Sequence, residues 1–154
     1  MTQLSIGDSA PDFSWTTLDG LNMTLEDAAG KYVVLYFYPK DNTPGCTIEA
    51  KDFASRHDEF ISKNAIIIGV SRDSEASHKK FSSLCDLPFP LISDKSEDVC
   101  NAYGVLLQKS MMGRKYMGID RSTFLISPNK KILNIWRNVS VLGHAGKVLD
   151  SIGS

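Results

Sequence analysis

Cysteine pairs are missing from this chain. Cys46, Cys85 and Cys100 stand far apart, with no Cys-x-x-Cys and no pair of histidines at zinc-finger spacing. An odd, widely spaced set gives neither a secreted disulfide framework nor a zinc site. Charge of one sign is missing too. A net charge of −1 offers nothing to a nucleic acid or a membrane surface. Long apolar runs do not occur, and a stretch such as Tyr32 to Tyr38 is far too short to cross a bilayer. The start, MTQLSIGDSAPDF, has no basic region ahead of an apolar segment, so no secretory signal is read and the cytoplasm is the expected location. No Gly-x-Gly-x-x-Gly follows the apolar run at Val33, and no Gly-Lys-Ser/Thr loop exists. Neither a dinucleotide nor a phosphate-loop nucleotide is indicated, and no cofactor or metal is expected. Repeats, linkers and low-complexity segments are also absent.

What remains is an ordinary globular composition over 154 residues, enough for one domain, 1–154, with a real apolar core. TTLDGLNM, 16–23, predicts a hairpin turning at Asp19-Gly20. Residues 24–29 read as a short helical stretch stopped by Gly30. Tyr32 to Tyr38 is a strand covered on both faces, and Ala65 to Val70 is a second. Between them a single helix is expected over 44–63, with Cys46, Ala50, Phe53, His57, Phe60 and Ile61 on its buried face. Helices are expected over 74–85, capped by Ser74, over 95–103 and over 143–152, and a short strand over 89–92. Ser122 to Ile126 and Lys131 to Trp136 read as paired strands turning at Ser127-Pro128-Asn129. Strands alternating with helices and then a hairpin predict an α/β fold with a mixed central sheet.

The stretch YFYPKDNTPGCTIEAKDF, from Tyr36 to Phe53, concentrates the chemistry. A strand ends, a polar loop follows, and Cys46 falls in the first turn of a helix. Ligands of open α/β sheets gather beyond the carboxyl ends of strands. Thr43 suits the N-cap, and Pro44 suits the first helical position, where its missing N–H costs nothing. Free N–H groups and the positive end of the helix dipole favour a thiolate in such a turn, which makes a nucleophile. Gly45 has no side chain, so a small ligand could come close to the sulfur. The other reading is that Cys46 packs beneath the helix with Ala50 and Phe53. Position alone leaves both open.

Pro39, Thr43 and Cys46 form Pro-x-x-x-Thr-x-x-Cys within FYPKDNTPGCTIEA. This stretch strongly resembles the peroxiredoxins, in particular the bacterioferritin comigratory protein, or Q-type, subfamily. APDF at 10–13, YVVLYFYP at 32–39, GVSRDSEASHKKF at 69–81, LPFPLISD at 87–94 and RSTFLI at 121–126 follow in that subfamily's order, so the resemblance covers nearly the whole chain. It implies a thioredoxin-like fold: a mixed central sheet flanked by helices, with an N-terminal hairpin. It implies an antioxidant peroxidase that reduces hydrogen peroxide and alkyl hydroperoxides and is recycled by thioredoxin or another thiol. Cys46 would be the peroxidatic cysteine, oxidised to a sulfenic acid. Thr43 would hydrogen-bond the peroxide, Pro39 would wall off the pocket, and Arg121 would favour the thiolate and the charge developing on oxygen. Glu49 also matches the subfamily, but a solvated helix position explains it as well, and it stays outside the core set. The subfamily implies a monomer, with a dimer as the alternative.

The sequence also departs from the subfamily. Many members carry a resolving cysteine five residues after the first; here that position is Lys51. Others place it in the next helix, where Cys85 stands about one turn later than usual. Cys85 is therefore the tentative resolver, and Cys46 would have to unwind the first turn of its helix to reach it. A one-cysteine cycle using an external thiol stays open, as do a thiol–disulfide oxidoreductase and a redox sensor. Cys100 reads as packing. His57, His78 and His144 are assigned no role, and Trp15 and Trp136 are read as core or sheet-edge residues. MMGRKYMGIDR, ahead of Arg121, is expected to be a mobile basic loop.

Overall fold

The computed structural model describes residues 3–153. A five-stranded mixed sheet forms its centre. The hairpin comes first: β1, Ser14–Thr16, pairs antiparallel with β2, Asn22–Thr24. Its turn closes through Gly20 N–H donating to the Thr17 carbonyl at 2.9 Å, with the Asp19-Gly20 pair at the bend. The stretch before Gly30 is a single 3-10 turn, Glu26–Ala28.

The sheet order is β5 (Leu91–Ser93), β4 (Ala65–Ser71), β3 (Tyr32–Phe37), β8 (Ser122–Ile126), β9 (Ile132–Trp136). β3, β4 and β5 run parallel, and β8 and β9 are antiparallel to their neighbours. Side chains of β3 alternate between two cores. Val33, Leu35 and Phe37 enter a cluster with Trp15, Cys100, Tyr103 and Phe124. Val34, Tyr36 and Tyr38 enter the other, with Cys46, Phe53, Phe60, Phe81 and Leu149. The sheet therefore separates Cys100 from Cys46.

The expected helix over 44–63 is two helices, α1 (Pro44–Ser55) and α2 (His57–Ser62). The cause is local. Ser55 donates its hydroxyl to the Asp52 carbonyl at 2.8 Å, the group that the N–H of Arg56 would take in a continuous helix. Arg56 N–H turns instead to the Phe53 carbonyl at 3.2 Å. The break buries Phe60 completely beside Phe53 but leaves Ile61 half exposed, off the face where helical spacing had put it.

The remaining helices are α3 (Glu75–Cys85), α4 (Asp98–Ala102) and α5 (His144–Ser151). Ser74 caps α3 by accepting from Ser77 N–H at 3.1 Å, as its sequence position predicts. Residues 111–121 overturn the expectation of a loop. β6 (Leu106–Met111) and β7 (Arg114–Ile119) form an antiparallel ribbon apart from the main sheet. Met112 (φ 52°) and Gly113 (φ 80°) make its two-residue turn, and both take the positive φ that matches strand twist in tight hairpins.

Candidate active site

Three parallel strands end on one side of the sheet, and the antiparallel β8 begins there. Phe37 pairs with Ser122, so Arg121 starts beside the point where the chain leaves β3. Val139 N–H holds the Arg121 carbonyl at 3.0 Å. Residues 39–43 cross this edge, and α1 begins directly after them. Asn42 turns the crossing with φ 58°, a conformation its short polar side chain tolerates.

Cys46 lies in the first turn of α1, the residue only 2% exposed. Arg121 Nη2 donates to its Sγ at 3.4 Å, and Nη1 donates to Glu49 Oε1 at 2.7 Å. One guanidinium thus bridges a thiol and a carboxylate set one helical turn apart. A guanidinium is a donor that cannot lose its proton, and here it is aimed at the sulfur. Burial works against the charge on Arg121, but Glu49 and Cys46 more than offset it, so the guanidinium holds its proton more firmly than usual. Glu49 is 1% exposed. Burial pushes its carboxyl up to about 7 against the pull of Arg121. Its second oxygen, Oε2, has no hydrogen-bond partner among the described residues. From the sequence Glu49 matches the subfamily and fits a solvated helix position equally well; the fold buries it. The signal was its i, i+3 spacing from Cys46.

Gly45 serves Arg121. A Cβ there would stand 3.2 Å from Arg121 Nη2, so the missing side chain lets the guanidinium reach the sulfur. Thr43 holds the N-cap position with an extended backbone, but its hydroxyl makes no capping bond. It donates to the Lys40 carbonyl at 2.9 Å, which leaves its oxygen lone pairs as acceptors. Pro39 is exposed at the start of the crossing.

The other thiols divide cleanly. Cys85 ends α3, half buried, and packs against the same cluster as Cys46. Burial raises its thiol pKa, and the ammonium of Lys51 partly offsets this. Cys100 is fully buried behind the sheet. Burial and the neighbouring Asp94 push its thiol pKa far up.

Two histidines assigned no role are buried. His144 meets Thr123 Oγ1 through Nε2 at 2.7 Å, and burial, with Lys147, lowers its pKa to about 4. His78 lies behind the 39–43 crossing, with Nδ1 2.7 Å from Asp41 Oδ2 and Nε2 2.8 Å from the Ile92 carbonyl. Asp41, Asp73 and His78 bring their ligand-type atoms within 4.8 Å of one another. Both ring nitrogens of His78 already face protein acceptors, so neither offers a metal a lone pair. No helix among the described residues is long and apolar enough to cross a membrane.

The AhpC/TSA family profile matches residues 6–135. The putative peroxiredoxin bcp of Helicobacter pylori strain J99 is 46% identical over 152 residues, 99% of this chain and 100% of that protein. Peroxiredoxin Bcp of Bacillus subtilis is 44% identical, covering 97% of this chain and 95% of its own. Among solved structures, the Xanthomonas campestris bacterioferritin comigratory protein superposes with a TM-score of 0.85 at 45% identity, covering 91% of this chain and 89% of that one. A mutant of Xylella fastidiosa PrxQ superposes with a TM-score of 0.90 at 40% identity, covering 97% and 96%. The thioredoxin-like fold, the thiol held by an arginine and these relatives agree: the chain belongs to the AhpC/TSA family as a peroxiredoxin of the Bcp/PrxQ kind, a thiol-dependent peroxidase.

Proposed function

We propose that Cys46 is the peroxidatic cysteine and that the chain reduces hydrogen peroxide and small alkyl hydroperoxides in the cytoplasm. The contact between Arg121 Nη2 and Cys46 Sγ carries the reading. The Cys46 thiolate attacks the protonated oxygen of the peroxide. An S–O bond forms as the O–O bond breaks, and the sulfur becomes a sulfenic acid. The displaced alkoxide or hydroxide takes a proton and leaves as alcohol or water. Arg121 faces both the sulfur and the oxygens on which charge develops, and each such donor is worth about 2.7–4 kcal/mol in comparable sites. Thr43, whose hydroxyl donates its hydrogen bond to the Lys40 carbonyl, accepts from the O–H of the peroxide. Pro39 shields one side of the crossing from water.

Recycling uses Cys85. Its thiolate attacks the sulfenic sulfur, an S–S bond forms and hydroxide departs as water. An external dithiol of the thioredoxin kind then reduces the disulfide by exchange. The two thiols share one side of the sheet, and α1 packs on α3. The thiol of Cys46 is buried, so the first turn of α1 unwinds for the sulfurs to meet. The catalytic unit is a monomer.

Peptide mapping without reductant, after one equivalent of hydrogen peroxide, tests this. A Cys46–Cys85 linked peptide is expected. Cys46 as sulfenic or sulfinic acid with Cys85 free would replace the disulfide cycle with a one-cysteine cycle. An untouched Cys46 would remove it from the reaction.

A further inference from the structure

Asp41 sits in the 39–43 crossing yet is only 6% exposed. Three donors converge on its carboxylate. Tyr38 Oη reaches Oδ1 at 2.6 Å, Ser77 Oγ reaches Oδ2 at 2.7 Å, and His78 Nδ1 reaches the same Oδ2 at 2.7 Å. Burial raises the pKa of the Asp41 carboxyl, but its hydrogen bonds with His78, Tyr38 and Ser77 more than offset this, so the group is held as a carboxylate. The carbonyl of Ile92 can only accept, so His78 Nε2, 2.8 Å away, carries a proton as well. With both nitrogens donating, His78 is an imidazolium paired with Asp41, and it is 5% exposed. The backbone N–H of Asp41 in turn donates to Asp73 Oδ2 at 2.8 Å, and Ser71 Oγ fixes that same oxygen at 2.6 Å.

These bonds run in one direction. Beyond the Tyr38 bond, which holds the crossing to the end of β3, they tie the short crossing before α1 to what lies behind it: the start of α3 directly through Ser77 and His78, β5 at one remove through His78 and Ile92, and the end of β4 through Asp73 and Ser71. Thr43, two residues beyond Asp41, accepts the first backbone bond of α1, from Thr47 N–H at 2.9 Å. The crossing and the Cys46 turn therefore move together. Among the described residues none of these groups hydrogen-bonds the thiol, and a surface loop needs no buried ion pair. Nor is such a pair an efficient source of overall stability, because desolvation offsets most of its attraction. What it gives is a single position.

The geometry points to the Asp41–His78 pair as a clasp that holds the Cys46 turn closed against Arg121, so that its integrity sets how often the thiol is presented to peroxide and how often it is released for resolution. Asp41 and His78 are positioning residues, acting through the backbone of residues 39–46. This rests on Cys46 being the reacting thiol.

The test compares Asp41→Asn and His78→Asn with the native chain in two assays. One is the rate of Cys46 alkylation by a bulky maleimide in reduced protein without peroxide, with the modified residue identified by peptide mapping. The other is the first-turnover rate with hydrogen peroxide. Each variant is expected to alkylate Cys46 at least tenfold faster and to react with peroxide at least tenfold more slowly, and the double variant to change little further. Ile126→Val, buried in the opposite core, supplies a control for lost stability: its thermal midpoint falls while Cys46 stays protected. Ser77→Ala, which removes one bond to Asp41, is expected to shift both rates the same way by a smaller factor, and it decides the matter if the other variants do not fold. Unchanged alkylation in folded variants would overturn the clasp, as would equal exposure of Cys46 in the Ile126→Val control. A native chain whose Cys46 ignores peroxide would instead overturn its role as the reacting thiol, so the two failures are distinct.

Discussion

Replacing Glu49 by Gln probes the buried guanidinium bridge directly. The amide keeps the shape of the side chain and an oxygen for Arg121 Nη1, but it cannot ionise. In the native chain the carboxyl is pushed up to about 7 by burial, against an ordinary value of 4.5. Below 4.5 both folded and unfolded chains hold this proton, and its full contribution to stability is present. Between 4.5 and 7 only the unfolded chain releases it, so rising pH favours unfolding, and above 7 the contribution is gone. A difference of about 2.5 pH units corresponds to about 3 kcal/mol. With a urea slope of about 1–3 kcal/mol per M, the native midpoint should fall by about 1–3 M relative to Glu49→Gln between pH 4.5 and 7.5. The assay is reversible urea unfolding of both proteins under reducing conditions at half-unit pH steps. Subtracting the variant removes the titration of His78, His144 and the other carboxylates. Midpoints that move in parallel across the window would refute the reasoning, because they would mean a carboxyl that titrates as it does in water. The same variant should also react more slowly with peroxide, since Arg121 trades a charged anchor for a neutral one.

Further outcomes are expected. Arg121→Lys keeps the charge but loses the fork that spans sulfur and carboxylate, and stopped-flow first-turnover rates should fall about 100-fold. Gly45→Ala places a Cβ 3.2 Å from Nη2, which displaces the guanidinium by a few tenths of an ångström; the peroxide rate should fall while the urea midpoint barely moves. Cys100→Ala should leave peroxide turnover and disulfide formation unchanged in a coupled assay. Burial and Lys147 lower the pKa of His144 to about 4, so its contribution to stability is full above its ordinary 6.5 and is lost as pH falls toward 4; in His144→Gln that part of the acid limb should flatten in thermal melts.

Residues whose structure follows from local pattern were legible from the sequence. The apolar run of β3, the Ser74 cap and the Asp19-Gly20 turn each follow from a few neighbouring side chains, and Cys46 was placed at a helix start by Thr43 and Pro44. Arg121 was named through a family resemblance; the physical cause of its position, the pairing of Phe37 with Ser122, is a long-range fact. Glu49 matches the subfamily but has an equally good reading as a solvated helix position, and no motif near His78 makes it a base; only the fold shows what covers them. The helix over 44–63 was split by one serine hydroxyl, too small a signal against a sustained apolar period. The ribbon was missed because its turn is Met-Gly rather than Asn-Gly, and because its exposed methionines and basic residues blur the alternation that marks a strand.

The alternation of β3 side chains between two cores has a chemical meaning as well as a packing one. A peroxide small enough to reach one sulfur is small enough to reach any exposed sulfur, so selectivity among three thiols cannot come from reagent size. The central sheet supplies it as a partition. Behind it, Cys100 shares its compartment with Phe37, Tyr103 and Phe124, where burial and Asp94 oppose a thiolate. In front stand Cys46 and Cys85, and only one of those meets a guanidinium. Five strands of hydrogen-bonded backbone thus stand between one thiol and the other two.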